Sequence, residues 1–201
     1  MPQIDSLPSD APKAIIAIEK ADIAIAEHAA EVTDSRIVKA LGAASDIADQ
    51  PPLVAISLAT VAIGLVARRP LIAIAGARML ATHALATGIK TVVKRSVDRT
   101  RPHVLAEEGR YLVRKGQERD SRYNSFPSGH TAGAVAIAEA AGRSFPRMAW
   151  PLRAWAATMA AIQIPRCAHY PSDIAAGALI GLGSDRAVRL AEKALTGLLR
   201  R

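Results

Sequence analysis

The sequence is poor in cysteine and in aromatic residues, and it does not begin like a secreted protein. Its single cysteine, Cys167, excludes an intrachain disulfide and a cysteine metal cluster. Aromatic residues make up 3% of the chain, and without an aromatic platform or a recognised binding module its basic charge does not indicate nucleic-acid binding. The start of the chain carries Asp5, Asp10 and two prolines instead of a basic and then an apolar stretch, so we expect no secretion signal.

What the chain has in abundance is alanine-rich apolar sequence and positive charge. Half of its 201 residues are hydrophobic, which is enough for one domain with a buried core. Small side chains at helical spacing let helices pack closely, as they do in membrane bundles. The formal net charge of +8 indicates acidic partners, such as phosphorylated substrates or anionic lipid head groups, or a solvated basic surface.

Apolar segments predict a bundle of helices. Residues 51–67 form the longest uncharged run, and a second apolar segment, 71–89, is interrupted by Arg78. Shorter apolar segments follow at 131–142, 148–164 and 174–183. A helix that spans a bilayer needs about 20 mostly apolar residues, so the shorter segments must extend into their charged flanks. We expect an all-α, single helical bundle of about five to six helices, integral to a membrane, with a soluble helical bundle as the alternative.

The composition divides the chain into an N-terminal segment, a core and a tail. Residues 1–50 predict an amphipathic helical segment packed on the bundle, and residues 51–185 the helical core. A charged polar loop, 90–126, interrupts the core. Loops of this length in a compact domain are usually functional or disordered, and the motifs on both sides favour a functional one. Residues 186–201 form a basic C-terminal tail.

Lys94 and Arg101 form the first of three motifs that carry chemistry. A spacing of seven residues returns to nearly the same face of a helix, so both cations reach one phosphate. Pro102 ends the helix and keeps Arg101 extended. Arginine binds phosphate through two hydrogen bonds and lysine acts as a point charge, so the two complement each other. The alternative is a basic stretch that binds lipid head groups.

The second motif is Pro127-Ser128-Gly129-His130, at the start of an apolar helix. Ser128 is a suitable N-cap, and Gly129 lets the backbone approach a ligand closely. Free amides and the positive end of the helix dipole make such a terminus an anion site. His130 is placed to give a proton to an oxygen that leaves the phosphate. The alternative is a plain helix cap with a surface histidine.

The third motif joins His169 and Asp173, four residues apart. The turn between them brings the carboxylate to one ring nitrogen, which fixes the tautomer and leaves the other nitrogen free. A histidine held in this way attacks phosphorus directly and forms a phospho-histidine intermediate. The alternative is a helix cap with an incidental histidine.

We expect neither a metal ion nor a cofactor. The carboxylates and histidines lack metallohydrolase spacing, such as two histidines with a glutamate between them. Cationic side chains supply the charge neutralisation that a metal would otherwise provide.

In order and spacing the three motifs resemble those of the type 2 phosphatidic acid phosphatase superfamily, which also contains vanadium haloperoxidases and bacterial acid phosphatases. The resemblance covers roughly residues 50–185 and implies an all-helical, metal-independent enzyme. It implies that His169 is the nucleophile, that Asp173 orients it and that His130 protonates the leaving group. The residues that match the family's phosphate ligands are Lys94, Arg101, Ser128 and Gly129.

The third motif departs from the family pattern at one position. The family usually has an arginine six residues before the nucleophile, where this chain has Gln163. Glutamine donates hydrogen bonds but does not neutralise an oxyanion, and loss of such a donor typically costs about 10²–10³ in rate. Arg166, nearly one helical turn later, is the candidate replacement. We count both residues among the phosphate-binding candidates, and we favour a working enzyme over a slow one or a binder without turnover.

These features predict a membrane phosphatase that forms a phospho-histidine and acts on phosphatidic acid, phosphatidylglycerol phosphate or a polyprenyl (di)phosphate. The alternatives are a soluble acid phosphatase or haloperoxidase-like enzyme, and a catalytically impaired membrane protein that binds lipid phosphates. We expect a multi-pass protein of the cell membrane. Basic residues in short loops usually mark the cytoplasmic side, and both sides of this protein are rich in them. Because the basic residues on the motif side are engaged with substrate, we expect the active site to face outward.

Overall fold

The computed structural model describes residues 3–4, 12–116 and 120–199. Within those ranges the chain is all-α apart from short strands, which confirms the predicted fold class. The helices are α1 (Lys13–Ala30), α2 (Arg36–Ser45), α3 (Gln50–Val66), α4 (Pro70–Ser96), α5 (Pro102–Glu108), α6 (Gly129–Ser144), α7 (Ala149–Ile162) and α8 (Pro171–Leu198). There are eight of them in the described residues, more than the predicted number, because α5 begins at Pro102 inside the charged segment and the N-terminal segment holds two.

Helix α6 is the centre of the bundle. It packs against α3, α4, α7 and α8. Most of its side chains are alanine or glycine, and all but a few of them are buried. Small side chains let four neighbours approach one helix at once, so the ends of these helices converge.

Two glycines allow the α3–α4 hairpin to close tightly. A Cβ atom built on Gly64 would lie 2.2 Å from the amide nitrogen of Ala73. One built on Gly76 would lie 2.5 Å from the amide nitrogen of Val61 and 2.8 Å from the carbonyl oxygen of Ser57. Backbone atoms cannot give way as a flexible side chain can, so only glycine fits at either position.

The segment 90–126, predicted as a polar loop, carries helix and strand along much of its described length. Its first residues continue α4 as far as Ser96. Two small sheets follow: β1 (Gln3–Ile4) pairs in parallel with β3 (Arg110–Tyr111), and β2 (Val97–Arg99) pairs antiparallel with β4 (Val113–Lys115).

The N-terminal helices lie on the outside of the core. Helix α1 packs on α5 and α8, and α2 packs on α7. Ser35 caps α2, since its Oγ accepts a hydrogen bond of 3.2 Å from the amide of Val38. The turn Asp46–Ala48 then leads into α3.

By length and composition, α4 is the one helix in the described residues that suffices to cross a membrane. Residues Arg36–Ala48 and Gln50–Val66 pass the same test together, although the two pieces are bent by 50°.

The close approach of α3 and α4 makes Gly76 sensitive to a single methyl group. We expect Gly76→Ala to destabilise the protein by about 1–3 kcal/mol, the usual cost of overpacking. Gly88→Ala, on the same helix with nothing within 4 Å of the new atom, is the control. It should be neutral or stabilising by up to about 1 kcal/mol, because alanine favours a helix over glycine. The free energy of unfolding measures both, and equal values for the two variants would contradict this packing.

Candidate active site

The three sequence motifs meet at one end of the bundle. The C-terminal half of α4, the N-terminal ends of α3 and α6, and the residues just before α5 and α8 surround a cavity of about 410 Å³. Five of the predicted site residues line it: Lys94, Arg101, Gly129, His130 and His169. Its other lining residues are Ala48, Asp49, Gln50, Pro51, His83 and Lys90.

The start of α6 has the geometry of an anion site. Ser128 Oγ caps the helix by accepting a hydrogen bond of 3.3 Å from the amide of Thr131. The side chain of Lys90 lies against Gly129, where an added Cβ would be 3.2 Å from Lys90 Cδ and 3.5 Å from its Nζ. The helix dipole and a cation therefore act on the same point of the cavity wall.

Backbone carbonyl groups accept hydrogen bonds from the two cations of the first motif, Lys94 and Arg101. Lys94 Nζ donates to the carbonyl of Asn124 at 2.7 Å. Arg101 Nε donates to the carbonyl of Ser121 at 2.9 Å, and its Nη1 lies 3.5 Å from the carbonyl of Ala168. These carbonyls hold the two side chains in place and bring no negative charge that would compete with a ligand in the cavity.

His169 is buried, and its tautomer is set by the backbone. Nδ1 lies 2.8 Å from the carbonyl oxygen of Ser125. A carbonyl only accepts, so Nδ1 carries the proton and Nε2 of the neutral ring keeps its lone pair. Burial lowers the pKa of His169 to about 4, so the ring is neutral near pH 7.

Asp173 orients the imidazole of His169 mainly through its hydrogen bond with Ser125. Its Oδ2 lies 3.7 Å from Nδ1 of His169, which is an ion-pair distance and too long for a hydrogen bond. The same oxygen accepts hydrogen bonds from Ser125 Oγ at 2.5 Å and from the amide of Tyr170 at 2.8 Å. Asp173 thus holds Ser125, whose carbonyl orients the ring.

Arg99 is a residue of the site that none of the three sequence motifs indicates. Its side chain is 2% exposed, and its guanidinium lies 2.6 Å from Asp173, 2.7 Å from Asp22 and 2.7 Å from Glu19. Although burial alone would lower its pKa, these carboxylates raise the pKa of Arg99 above its ordinary value. The sequence signal was the spacing of Glu19 and Asp22, which places two carboxylates on one face of α1.

His130 faces two aspartates that the sequence did not indicate. Its Nε2 lies 3.1 Å from Asp49 and 3.9 Å from Asp46. Ligand-type atoms of these three residues lie within 4.8 Å of one another, a spacing that can hold a metal ion. Arg166 also pairs with Asp46, at 2.9 Å, so this arginine offsets one of the two carboxylate charges.

The two residues of the incomplete motif lie outside the cavity wall. Gln163 is fully buried and donates to Ser45 Oγ at 3.2 Å and to the carbonyl of Met159 at 3.0 Å. Arg166 donates to Ser45 Oγ at 2.7 Å besides its pairing with Asp46. A third cation, Lys90, lines the cavity together with Lys94 and Arg101, and its spacing of one helical turn from Lys94 is the sequence signal that could have found it.

The chain is similar to one known protein family and to solved structures. A family model described as PAP2 superfamily matches residues 75–195, more than half of the chain. Among solved structures, the first transmembrane PAP2 type phosphatidylglycerolphosphate phosphatase from Bacillus subtilis has a TM-score of 0.61 at 17% identity, over 89% of this chain and 87% of that one. Aquifex aeolicus LpxE has a TM-score of 0.42 at 24% identity, over 78% of this chain and 96% of that one. No curated protein sequence matches the chain. The chain belongs to the PAP2 superfamily, and it is a phosphatase.

Proposed function

We propose that this phosphatase removes phosphate from a lipid phosphate or diphosphate through a phospho-histidine intermediate. The observation that carries the proposal is a buried, neutral His169 on the wall of a cavity that also presents cations and a helix N-terminus. A neutral imidazole is a nucleophile, and a cationic, amide-lined cavity stabilises the charge of a transferring phosphoryl group.

The substrate phosphate lies against Lys94, Arg101 and the free amides at the start of α6. Nε2 of His169 attacks phosphorus, the N–P bond forms, and the bond to the leaving oxygen breaks. His130 gives its proton to that oxygen. Water then attacks the phospho-histidine and gives its proton back to His130, which releases inorganic phosphate and restores both histidines.

Exposed apolar side chains support a lipid substrate and a membrane location. Large hydrophobic residues stand exposed along α3, α4 and α8, where a soluble bundle would carry polar ones. They include Ile56, Leu58, Ile63, Leu65, Val66, Leu71, Ile74, Leu85, Ile89, Val92, Leu179, Leu182, Leu190 and Leu195. Helices embedded in a bilayer would hold the cavity near its surface, where lipid head groups lie. Phosphatidic acid, phosphatidylglycerol phosphate and polyprenyl phosphates or diphosphates fit this setting.

We place the enzyme in the cell membrane as a multi-pass protein whose cavity faces outward. Several basic residues at the cavity end are engaged, with Arg99 in buried ion pairs and Arg114 beside Asp98. Basic residues are exposed at both ends: Arg95, Arg110 and Lys115 at the cavity end, and Arg68, Arg69 and Arg147 at the opposite end. Basic residues in short loops favour the cytoplasmic side, and cations engaged with substrate or with a carboxylate do not count in this bias, so we place the opposite end inside.

The first test is phosphate release by the purified protein in detergent, in the presence of a chelator, across a panel of lipid phosphates and diphosphates. We expect activity in the wild type and none above background in His169→Ala, because no other described group takes the place of the nucleophile. His28→Ala removes an exposed histidine of α1 and is the matched control. Activity that the chelator abolishes would contradict the metal-free mechanism and direct attention to Asp46, Asp49 and His130.

Lys90 supplies positive charge that Gln163 and Arg166 do not bring to the cavity. We expect Lys90→Met to lower kcat/KM by about 10²-fold, a typical loss for one preorganised donor, and to weaken inhibition by vanadate. Arg95→Met, which removes an exposed cation from the same helix, is the control and should change neither value. Equal behaviour of the two variants would exclude Lys90 from the phosphate site.

The low pKa of His169 predicts the acid side of the pH profile. The ring is protonated, and loses its nucleophilic lone pair, only as the pH falls through about 4; an ordinary histidine would be protonated near pH 6.5. We therefore expect kcat/KM to stay high down to about pH 5, once the second ionisation of the substrate, near pH 6, is divided out. If the corrected kcat/KM still fell with a midpoint near pH 6.5, the nucleophile would not be shielded from water.

A further inference from the structure

We propose that two carboxylates of α1, Glu19 and Asp22, are positioning residues for the nucleophile and act on it through Arg99 and Asp173. The proposal rests on the function proposed above and extends it to a helix that lies outside the matched family segment, 75–195. On this proposal α1 helps to orient the nucleophile, in addition to packing on α5 and α8.

A continuous set of short contacts connects α1 with the nucleophile. Nη2 of Arg99 donates to Glu19 and to Asp22, each at 2.7 Å. Nη1 of the same guanidinium donates to Asp173 at 2.6 Å. Asp173 holds Ser125, whose carbonyl accepts from Nδ1 of the nucleophile. Each step is a direct contact, so a shift of α1 moves every group as far as the ring.

Asp22 also contacts the start of α8 without Arg99. Its Oδ1 accepts from the amide of Ser172 at 3.1 Å, and its Oδ2 accepts from the hydroxyl of Ser172. Ser172 immediately precedes Asp173, so the carboxylate of α1 fixes the backbone from which Asp173 projects. Arg99 Nη1 donates to the same hydroxyl at 2.7 Å. Ser172 therefore contacts both Asp22 and Arg99.

The charges of the network explain why two carboxylates of α1 are present. As the N–P bond forms, the imidazole of His169 becomes cationic, and the charge of Asp173 stabilises it from 3.7 Å. A lone buried guanidinium beside Asp173 would cancel that effect. Glu19 and Asp22 offset the charge of Arg99, so Asp173 retains its influence on the ring. Their side chains are 12% and 4% exposed, and little water screens them.

This arrangement predicts an effect on turnover that is separate from phosphate binding. Asp22→Asn keeps the size of the side chain but removes its charge, and we expect kcat to fall about 10- to 100-fold, as when a group that orients a catalytic residue is lost. The affinity for vanadate should be unchanged or tighter, since the variant gains net positive charge and keeps Lys94 and Arg101. Glu19→Gln should show the same pattern with a smaller loss, and Asp22→Glu should recover part of the rate.

Glu27→Gln is the matched control, because Glu27 is an exposed carboxylate of the same helix, and its kcat should equal that of the wild type. Values of kcat within twofold of the wild type in both Asp22→Asn and Glu19→Gln would overturn the proposal. Parallel loss of kcat and vanadate affinity would also overturn it, in favour of a role in folding alone. If Asp22→Asn does not fold, Glu19→Gln decides by the same criteria. Failure of the proposed function is distinct, because wild type and His169→Ala would then be equally inactive.

Discussion

The buried pair of Arg99 and Asp173 is the constraint on which the rest of the site depends. A guanidinium and a carboxylate with almost no exposure to water lie 2.6 Å apart, and removal of one partner from such a pair typically costs about 3–5 kcal/mol, since the other is left buried and unpaired. Arg99 belongs to the charged segment after α4, and Asp173 belongs to the first turn of α8. Their pairing therefore holds together two parts of the chain that are far apart in sequence, and Asp173 in turn holds Ser125, whose carbonyl sets the tautomer of His169.

Close helix packing is what brings the remaining groups to this pair. The methyl-sized side chains of α6, and the glycines of its neighbours, let helix ends meet around one cavity. A Cβ atom on Gly177 of α8 would lie 2.6 Å from the carbonyl of Ser128, so the start of α8 reaches the start of α6 only because glycine is there. Because the interior is filled by small side chains, the larger apolar residues lie on the outside of the bundle. Such a surface suits helices that are surrounded by lipid.

The sequence predicted the local parts of the site and missed its long-range contacts. The motifs placed Ser128 at a helix start and brought Lys94, Arg101, His130 and His169 to one cavity, because caps, prolines and spacing along a helix are encoded in a few adjacent residues. The pairing of Arg99 depends on where α1 docks, which no short pattern records. Asp49 meets His130 for the same reason, since the turn before α3 reaches α6 only in the folded bundle.

The proposed phosphate site needs positive charge, but it does not need that charge from one particular position in the sequence. A bound phosphate requires positive charge within a few ångströms, and a residue on α4, α5 or α7 meets that requirement equally if its side chain reaches the cavity. Gln163 on the α7 side turns to Ser45 and Met159, whereas Lys90 of α4 lies against Gly129. A lysine neutralises charge but does not fix two phosphate oxygens at once. Under the proposed function, the orientation of a phosphate would depend on Arg101, which the carbonyls of Ser121 and Ala168 hold in place, and on the amides of α6.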